Sequence, residues 1–268
     1  MKSFSLLQSN NIVRFYGSTI KKNRWIGLIM EFCPGGSLKD LVQNKTPDLP
    51  IVIAMKFLKE ISDAVAFIHG QHHGKHAVHG DIKLDNILLS RSLSCKLSDF
   101  GTTQVLTMTS TVGMLGCTPM YAAPEVLKIG QYTGNTRQSD MFSVGVVVEF
   151  IITRNHKRVH PDRLSSIVEN LKAKEDERGA SALQALYDVH KATCIDNPNN
   201  RLSIKEVKRA IDSYFKKYSE VEVMLAVAKV LEEYNMHPLP EASQLVAPLE
   251  EVINKGRGIV CLITSDLN

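Results

Sequence analysis

The sequence predicts an α+β fold in which helix predominates. Three observations carry this. Two β-branched and aromatic runs near the start, "NIVRFYGSTI" and "RWIGLIMEF", are separated only by "KKN" and read as a hairpin. From Ile51 to His69, the residues Ile53, Phe57, Ile61, Ala64, Val65 and Ile68 recur at three- and four-residue intervals, the period of a helix with one buried face. The run "MFSVGVVVEFIIT" is apolar on nearly every side, which marks a buried helix.

The remaining elements follow in order. "CPGG" breaks the chain after the hairpin, and Ser37 is placed to cap a short helix, "LKDLVQN". "GQHHGKHA" reads as a short insertion in a solvated loop. "NILLS" and "CKLSDF" suggest a second hairpin. Residues 101–122 are rich in Thr, Gly and Met and show no period, so a long loop is expected there. Helical patterns follow near 162–173, 180–193 and 203–217. After Lys217, Val221, Met224, Leu225, Ala228 and Leu231 mark an amphipathic helix that "HPLP" ends. Leu245, Leu249, Val252 and Ile253 suggest another helix, and "GIVCLIT" a strand.

The totals bound the function. The chain has 268 residues, enough to bury a sizeable core, with 44% hydrophobic and 22% charged residues. A net charge of +4, not gathered in one block, is too little to argue for nucleic acid or membrane, and neither is expected as a partner. The five cysteines are widely spaced with no C-x-x-C, which argues against a disulfide framework or a structural zinc site. "MKSFSLLQSNNIV" lacks the apolar stretch of a signal peptide, and Val144 to Ile152 is too short to span a bilayer. A soluble, cytoplasmic protein is expected.

The densest chemistry lies in "HGDIKLDN", His79 to Asn86, followed by "SDFG". Phosphoryl transfer asks a protein for metal ions held against phosphates, a positive charge on the transferring group, and an acceptor for the hydroxyl proton. Asp81 can accept that hydrogen, and Lys83 can reach the phosphate. Asn86 can offer its amide oxygen to Mg²⁺, which prefers oxygen ligands. Asp99 supplies a second metal-holding group on a turn that Gly101 ends.

These motifs resemble the catalytic lobe of eukaryotic protein kinases, in which H-R-D-L-x-x-x-N, D-F-G and A-P-E come in that order. Here they stand as "HGDIKLDN", "DFG" (Asp99–Gly101) and "APE" (Ala123–Glu125). "SNNIVRFYG", "LIMEFCPGGSL", "SDMFSVGVVVEFIIT" and "CIDNPNNRLS" resemble further family segments. The resemblance covers about residues 1–217 and looks closest to tyrosine-kinase-like or MAP-kinase-cascade kinases. It implies a protein kinase-like fold: a remnant of the β-rich amino-terminal lobe and hinge at 1–32 and a helical catalytic lobe at 33–217. Residues 218–268 would be a helical extension without an assigned role.

The resemblance also implies a function and its residues. A serine/threonine kinase moves the γ-phosphoryl of ATP, with Mg²⁺, to a protein hydroxyl. Asp81 would be the base, Lys83 the phosphate clamp, and Asn86 and Asp99 the metal ligands. Thr118 would bond to Asp81 and Lys83. Met30 falls at the gatekeeper, the backbone of Glu31 and Cys33 would meet the adenine, and Leu88 would lie under it. Thr107, Thr109, Ser110 and Thr111 fall in the activation segment. His79, Phe100 and Asp140 have structural places, and Arg201 would pair with Glu125. The rival reading is a kinase-like interaction module that does no chemistry.

Two departures stand out. Gly80 replaces the family's arginine, which removes a charge that a loop phosphate would otherwise neutralise, so phosphorylation at 107–111 is expected to couple weakly to activity. The 268 residues also contain no G-x-G-x-x-G and no V-A-I-K. The expectation is that the chain starts within the family's regulatory helix, as a truncated form. The hairpin would then keep an open edge and be the least stable part of the domain.

Overall fold

A computed structural model describes residues 9–21, 24–44, 46–72, 75–99, 104–106, 118–127, 135–234, 236 and 260–261. The fold is α+β and mostly helical. Strands β1 (Phe15–Lys21) and β2 (Arg24–Met30) pair antiparallel. The helices are α1 (Leu38–Gln43), α2 (Ile51–His69), α3 (Pro124–Leu127), α4 (Arg137–Thr153), α5 (Pro161–Lys172), α6 (Glu177–Thr193), α7 (Ile204–Phe215) and α8 (Glu220–Glu233). Short strands β3 (Gln71–His72), β4 (Lys75–Val78), β5 (Ile87–Leu89), β6 (Cys95–Leu97), β7 (Gln104–Leu106) and β8 (Val260–Cys261) complete the described elements.

The core is built on α2 and α4. In α2, Ile53, Phe57, Val65 and Ile68 are fully buried, the face that the period marks. In α4, Val144, Val146, Val147 and Phe150 are fully buried, so this helix is enclosed by its neighbours. Each such side chain contributes about 1.5–3 kcal/mol on burial. Local chemistry fixes where the helices start. Ser37 and Thr136 each accept from the third helical N–H while Asp40 and Ser139 return the bond, closing capping boxes on α1 and α4. At its other end α4 stops at Arg154, whose guanidinium donates to the carbonyls of Leu41, Val42, Asn44 and Pro47. One arginine thus ties the end of α4 to the end of α1.

Helices α4 and α6 meet at Gly145. A Cβ there would collide with the Thr193 hydroxyl and the Cys194 sulfur. Gly145→Ala is expected to cost about 1–3 kcal/mol through overpacking, read from urea unfolding. A variant as stable as the parent would contradict this close approach.

The amino-terminal hairpin is anchored below. Val13 N–H donates to Leu97 O at 2.9 Å, Leu97 N–H to Asn11 O at 2.8 Å, and Ile12 and Val13 are buried. β8, inside the expected strand "GIVCLIT", lies parallel to β2, with Val260 opposite Ile29 and Cys261 opposite Met30, and among the described strands β1 keeps an open edge. Three short strands also stand where loop is expected. Gln71–His72 and Lys75–Val78 pair antiparallel as β3 and β4, and β7 pairs with β4 from inside the aperiodic stretch. Segments this short carry too few residues for a period.

The stripe read from α8 is corrected. Val221, Met224 and Leu225 are exposed, at 65%, 69% and 66%. The inward face carries Val223, Val227, Val230 and Leu231, with Tyr234 following the helix. "VEVMLAVAKVL" is apolar on two faces, so periodicity alone leaves its rotation open. The Ser219–Glu222 capping box and the Arg178–Glu222 ion pair, at 2.7 Å, accompany the observed rotation. Among the described residues, no helix is long and apolar enough to cross a membrane.

Candidate active site

Asp81, Lys83 and Thr118 close a triangle. Lys83 Nζ donates to Asp81 Oδ2 at 2.6 Å and to Thr118 Oγ1 at 2.9 Å, and Thr118 Oγ1 donates to Asp81 Oδ1 at 3.0 Å. Asn86 Nδ2 donates to the Asp81 carbonyl at 2.8 Å and to Oδ2 at 3.0 Å. Both amide hydrogens thus turn toward Asp81. The amide oxygen is the group Asn86 has left to offer a cation.

The turn that carries Asp99 is sewn to this loop by Ser98, a residue the sequence reading passed over. Its N–H and hydroxyl both reach Asn86 O, at 2.8 and 2.9 Å, and its carbonyl lies 2.9 Å from His79 Nε2. Asp99 has a φ of +57°, a left-handed conformation that non-glycine residues seldom adopt and that costs about 1–3 kcal/mol. The charges of Asp140, Asp81 and Asp99 each pull the pKa of the buried His79 ring upward, against the larger effect of its burial. Asn86 and Asp99 therefore offer oxygen donors from segments held together, a donor set that suits a hard cation such as Mg²⁺.

His79 has an assignable tautomer. Burial lowers its pKa, so the ring is neutral near pH 7. Nε2 faces the Ser98 carbonyl and must donate; Nδ1 then accepts from Asp81 N–H at 3.2 Å. The imidazole fixes the backbone of Asp81 on one side and the turn before Asp99 on the other.

Asp140 supports the loop from below. Its carboxylate accepts from His79 N–H at 2.8 Å and Gly80 N–H at 2.9 Å, and lies 2.8 Å from His69 Nε2. Gly80 sits at a φ of +84°. The glycine therefore has a backbone reason as well as the electrostatic one read from the sequence: a side chain at this φ is strained. Burial alone would raise the Asp140 pKa, but the His69 hydrogen bond, the His69 and His79 fields and the Gly80 N–H together hold it below the usual 3.8. A carboxyl with a lowered folded pKa adds stability above its unfolded pKa and loses it as pH falls through the folded value. Asp140→Asn is thus expected to flatten the loss of unfolding free energy below about pH 4, measured by urea titration at several pH values. An unchanged acid slope would contradict this.

Glu125, which opens with α3, meets Arg201 in a fork: Nη1 to Oε1 at 2.6 Å and Nη2 to Oε2 at 2.7 Å. Arg201 also donates to the carbonyls of Ile195, Gln138 and Asp196. Met30 ends β2, and Glu31 and Cys33 follow. Glu31 N–H donates to Arg14 O at 2.8 Å, and its carboxylate pairs with Lys96 at 3.0 Å. Leu88 lies on the face of β5 opposite the buried Ile87 and Leu89, and it bridges to Ser37. Gly35 N–H to Leu89 O and Leu89 N–H to Gly36 O, both 2.9 Å, sew residues 35–36 to β5. Phe100, Thr107, Thr109, Ser110 and Thr111 lie outside the described residues.

Two further neighbours escaped the sequence reading. Lys39 pairs with Asp85 at 2.6 Å, and Tyr121 OH lies 2.7 Å from His156 Nε2 while receiving Leu84 N–H at 3.4 Å. Burial pushes the Tyr121 phenol pKa up.

A family model described as a protein kinase domain matches residues 1–212. The chain is 37% identical over 150 residues to the mitogen-activated protein kinase kinase kinase mom-4 of Caenorhabditis elegans, covering 54% of this chain and 26% of that protein. It is 32% identical over 214 residues to the serine/threonine-protein kinase KIC1 of Saccharomyces cerevisiae, covering 77% and 18%. To the human mitogen-activated protein kinase kinase kinase 19 it is 31% identical over 168 residues, covering 60% and 12%. The matched part thus spans about a quarter or less of these relatives' own lengths.

Proposed function

The chain belongs to the protein kinase family, and from that premise we propose that it serves a serine/threonine kinase that transfers the γ-phosphoryl of ATP to a protein hydroxyl. One observation carries this reading: the Asp81–Lys83–Thr118 triangle, fastened through Asn86 and Ser98 to the turn at Asp99. Asp81 accepts the hydrogen of the incoming hydroxyl. Lys83 holds Asp81 in place and offers positive charge to the transferring group. Thr118 fixes the second carboxylate oxygen and joins the segment before α3 to the base. Asn86 and Asp99 present oxygens to a cation. Mg-ATP, when bound, would supply the phosphoryl group and the cation that offsets its charge.

Met30, Glu31, Cys33 and Leu88 are proposed to meet the nucleotide base, because residues 35–37, which follow the first three, pair with the edge of β5 that carries Leu88. The division proposed is 1–32, 33–217 and 218–268, in a cytoplasmic protein with protein substrates and no nucleic-acid or membrane partner. The names of the relatives favour a MAP-kinase-cascade role.

The second reading, an interaction module without chemistry, draws on the lack of G-x-G-x-x-G and V-A-I-K in these residues. Thermal melting with and without Mg-ATP separates the two, since a ligand that binds the folded state raises its melting temperature. The kinase reading expects a rise that Asp99→Asn abolishes. No shift at millimolar Mg-ATP favours the module.

A further inference from the structure

Two contacts from the end of the chain converge on residues 29–36. Tyr234 follows α8, and its hydroxyl donates to the Gly35 carbonyl at 2.8 Å, across 199 positions of sequence. The residue is 8% exposed, so this bond is shielded from water. Burial and the charge of Asp40 push the phenol up to about 12, and the hydroxyl keeps its proton at any working pH. Gly35 has no slack of its own. Its N–H is held by Leu89 O, and a Cβ there would collide with Leu89. The second contact is β8, whose backbone pairs with Ile29 and Met30, immediately before Glu31. Tyr234 and β8 both lie beyond residue 212, where the family match ends.

We propose that the carboxy-terminal extension positions the nucleotide-facing segment, with Tyr234 holding Gly35 from one side and Val260–Cys261 closing the edge of β2 on the other. Tyr234 is a positioning residue in this account: it acts on the backbone of Glu31 and Cys33 through Gly35. Val230 and the Tyr234 ring supply the packing that seats the end of α8, and the hydroxyl supplies the direction. The consequence for affinity rests on the nucleotide reading above; the contact itself does not.

The test uses the full chain. Tyr234→Phe keeps the ring and removes only the hydroxyl. Hydrogen exchange without ligand is expected to rise about fivefold at the amides of 31–33, 35 and 36, the factor that one lost hydrogen bond is worth, and to stay unchanged at 144–152 in α4. Val260→Pro, which cannot continue a ladder, is expected to do the same at 29 and 30. In a transfer assay, Tyr234→Phe is expected to raise KM for ATP by a similar factor with kcat within about twofold. Unchanged exchange at 31–33, 35 and 36 in Tyr234→Phe, or an equal rise throughout α4, overturns the strap. Unchanged exchange at 29 and 30 in Val260→Pro overturns the part given to β8. A rise in exchange with KM unmoved overturns the positioning role. A chain that binds no ATP defeats the nucleotide reading instead, and the exchange arm still decides the contact.

Discussion

An Arg201→Met chain is expected to unfold about 3–5 kcal/mol more easily than the parent, because it leaves one half of a buried ion pair behind. For a domain of this size that lowers the melting temperature by roughly 10 °C. The arginine side chain is fully buried, and that of Glu125 is 16% exposed. Every guanidinium N–H has a partner: two go to Glu125 and three to the carbonyls of Ile195, Gln138 and Asp196. Methionine fills the volume but orphans these acceptors. Arg201→Lys keeps the charge and loses the fork, so it should recover less than half of the loss. The damage should also spread, because Glu125 anchors α3 only seven positions after Thr118. A loss below about 1 kcal/mol in urea unfolding would show that the pair is not the anchor described.

Asp81→Asn carries the other large effect, on rate rather than stability. Turnover is expected to fall roughly 10²–10⁴-fold, the usual contribution of a positioned general base. The melting temperature should hardly move, since asparagine can still accept from Lys83 or Thr118. Mg-ATP should still bind. Thr118→Ala should lower kcat less, and Thr118→Ser should restore it, because only the hydroxyl enters the triangle. Full activity in Asp81→Asn would remove the base from the proposed mechanism.

Much of this molecule was legible because its motifs are local and its main helices are periodic. The bounds of α2 follow from the Ile53-to-Ile68 pattern, and the start of α1 from Ser37. The candidate site was legible in part because Asp81, Lys83 and Asn86 lie within six positions. Other features depended on contacts that no local pattern encodes. Ser98 is one serine among many until its N–H, hydroxyl and carbonyl are seen to join Asn86 to His79. The rotation of α8 was ambiguous because both of its faces are apolar. Strands β3, β4 and β7 are two to four residues long, too short to alternate detectably. Gly80 read as a missing charge; its φ of +84° adds the backbone reason.

The most direct measurement is a crystal structure of the full chain with Mn²⁺ and a non-hydrolysable ATP analogue, located by anomalous scattering. The account predicts a metal peak within about 2.0–2.3 Å of both Asn86 Oδ1 and an Asp99 carboxylate oxygen. A nucleotide-bound structure whose metal touches neither residue, or only one of them, would contradict it.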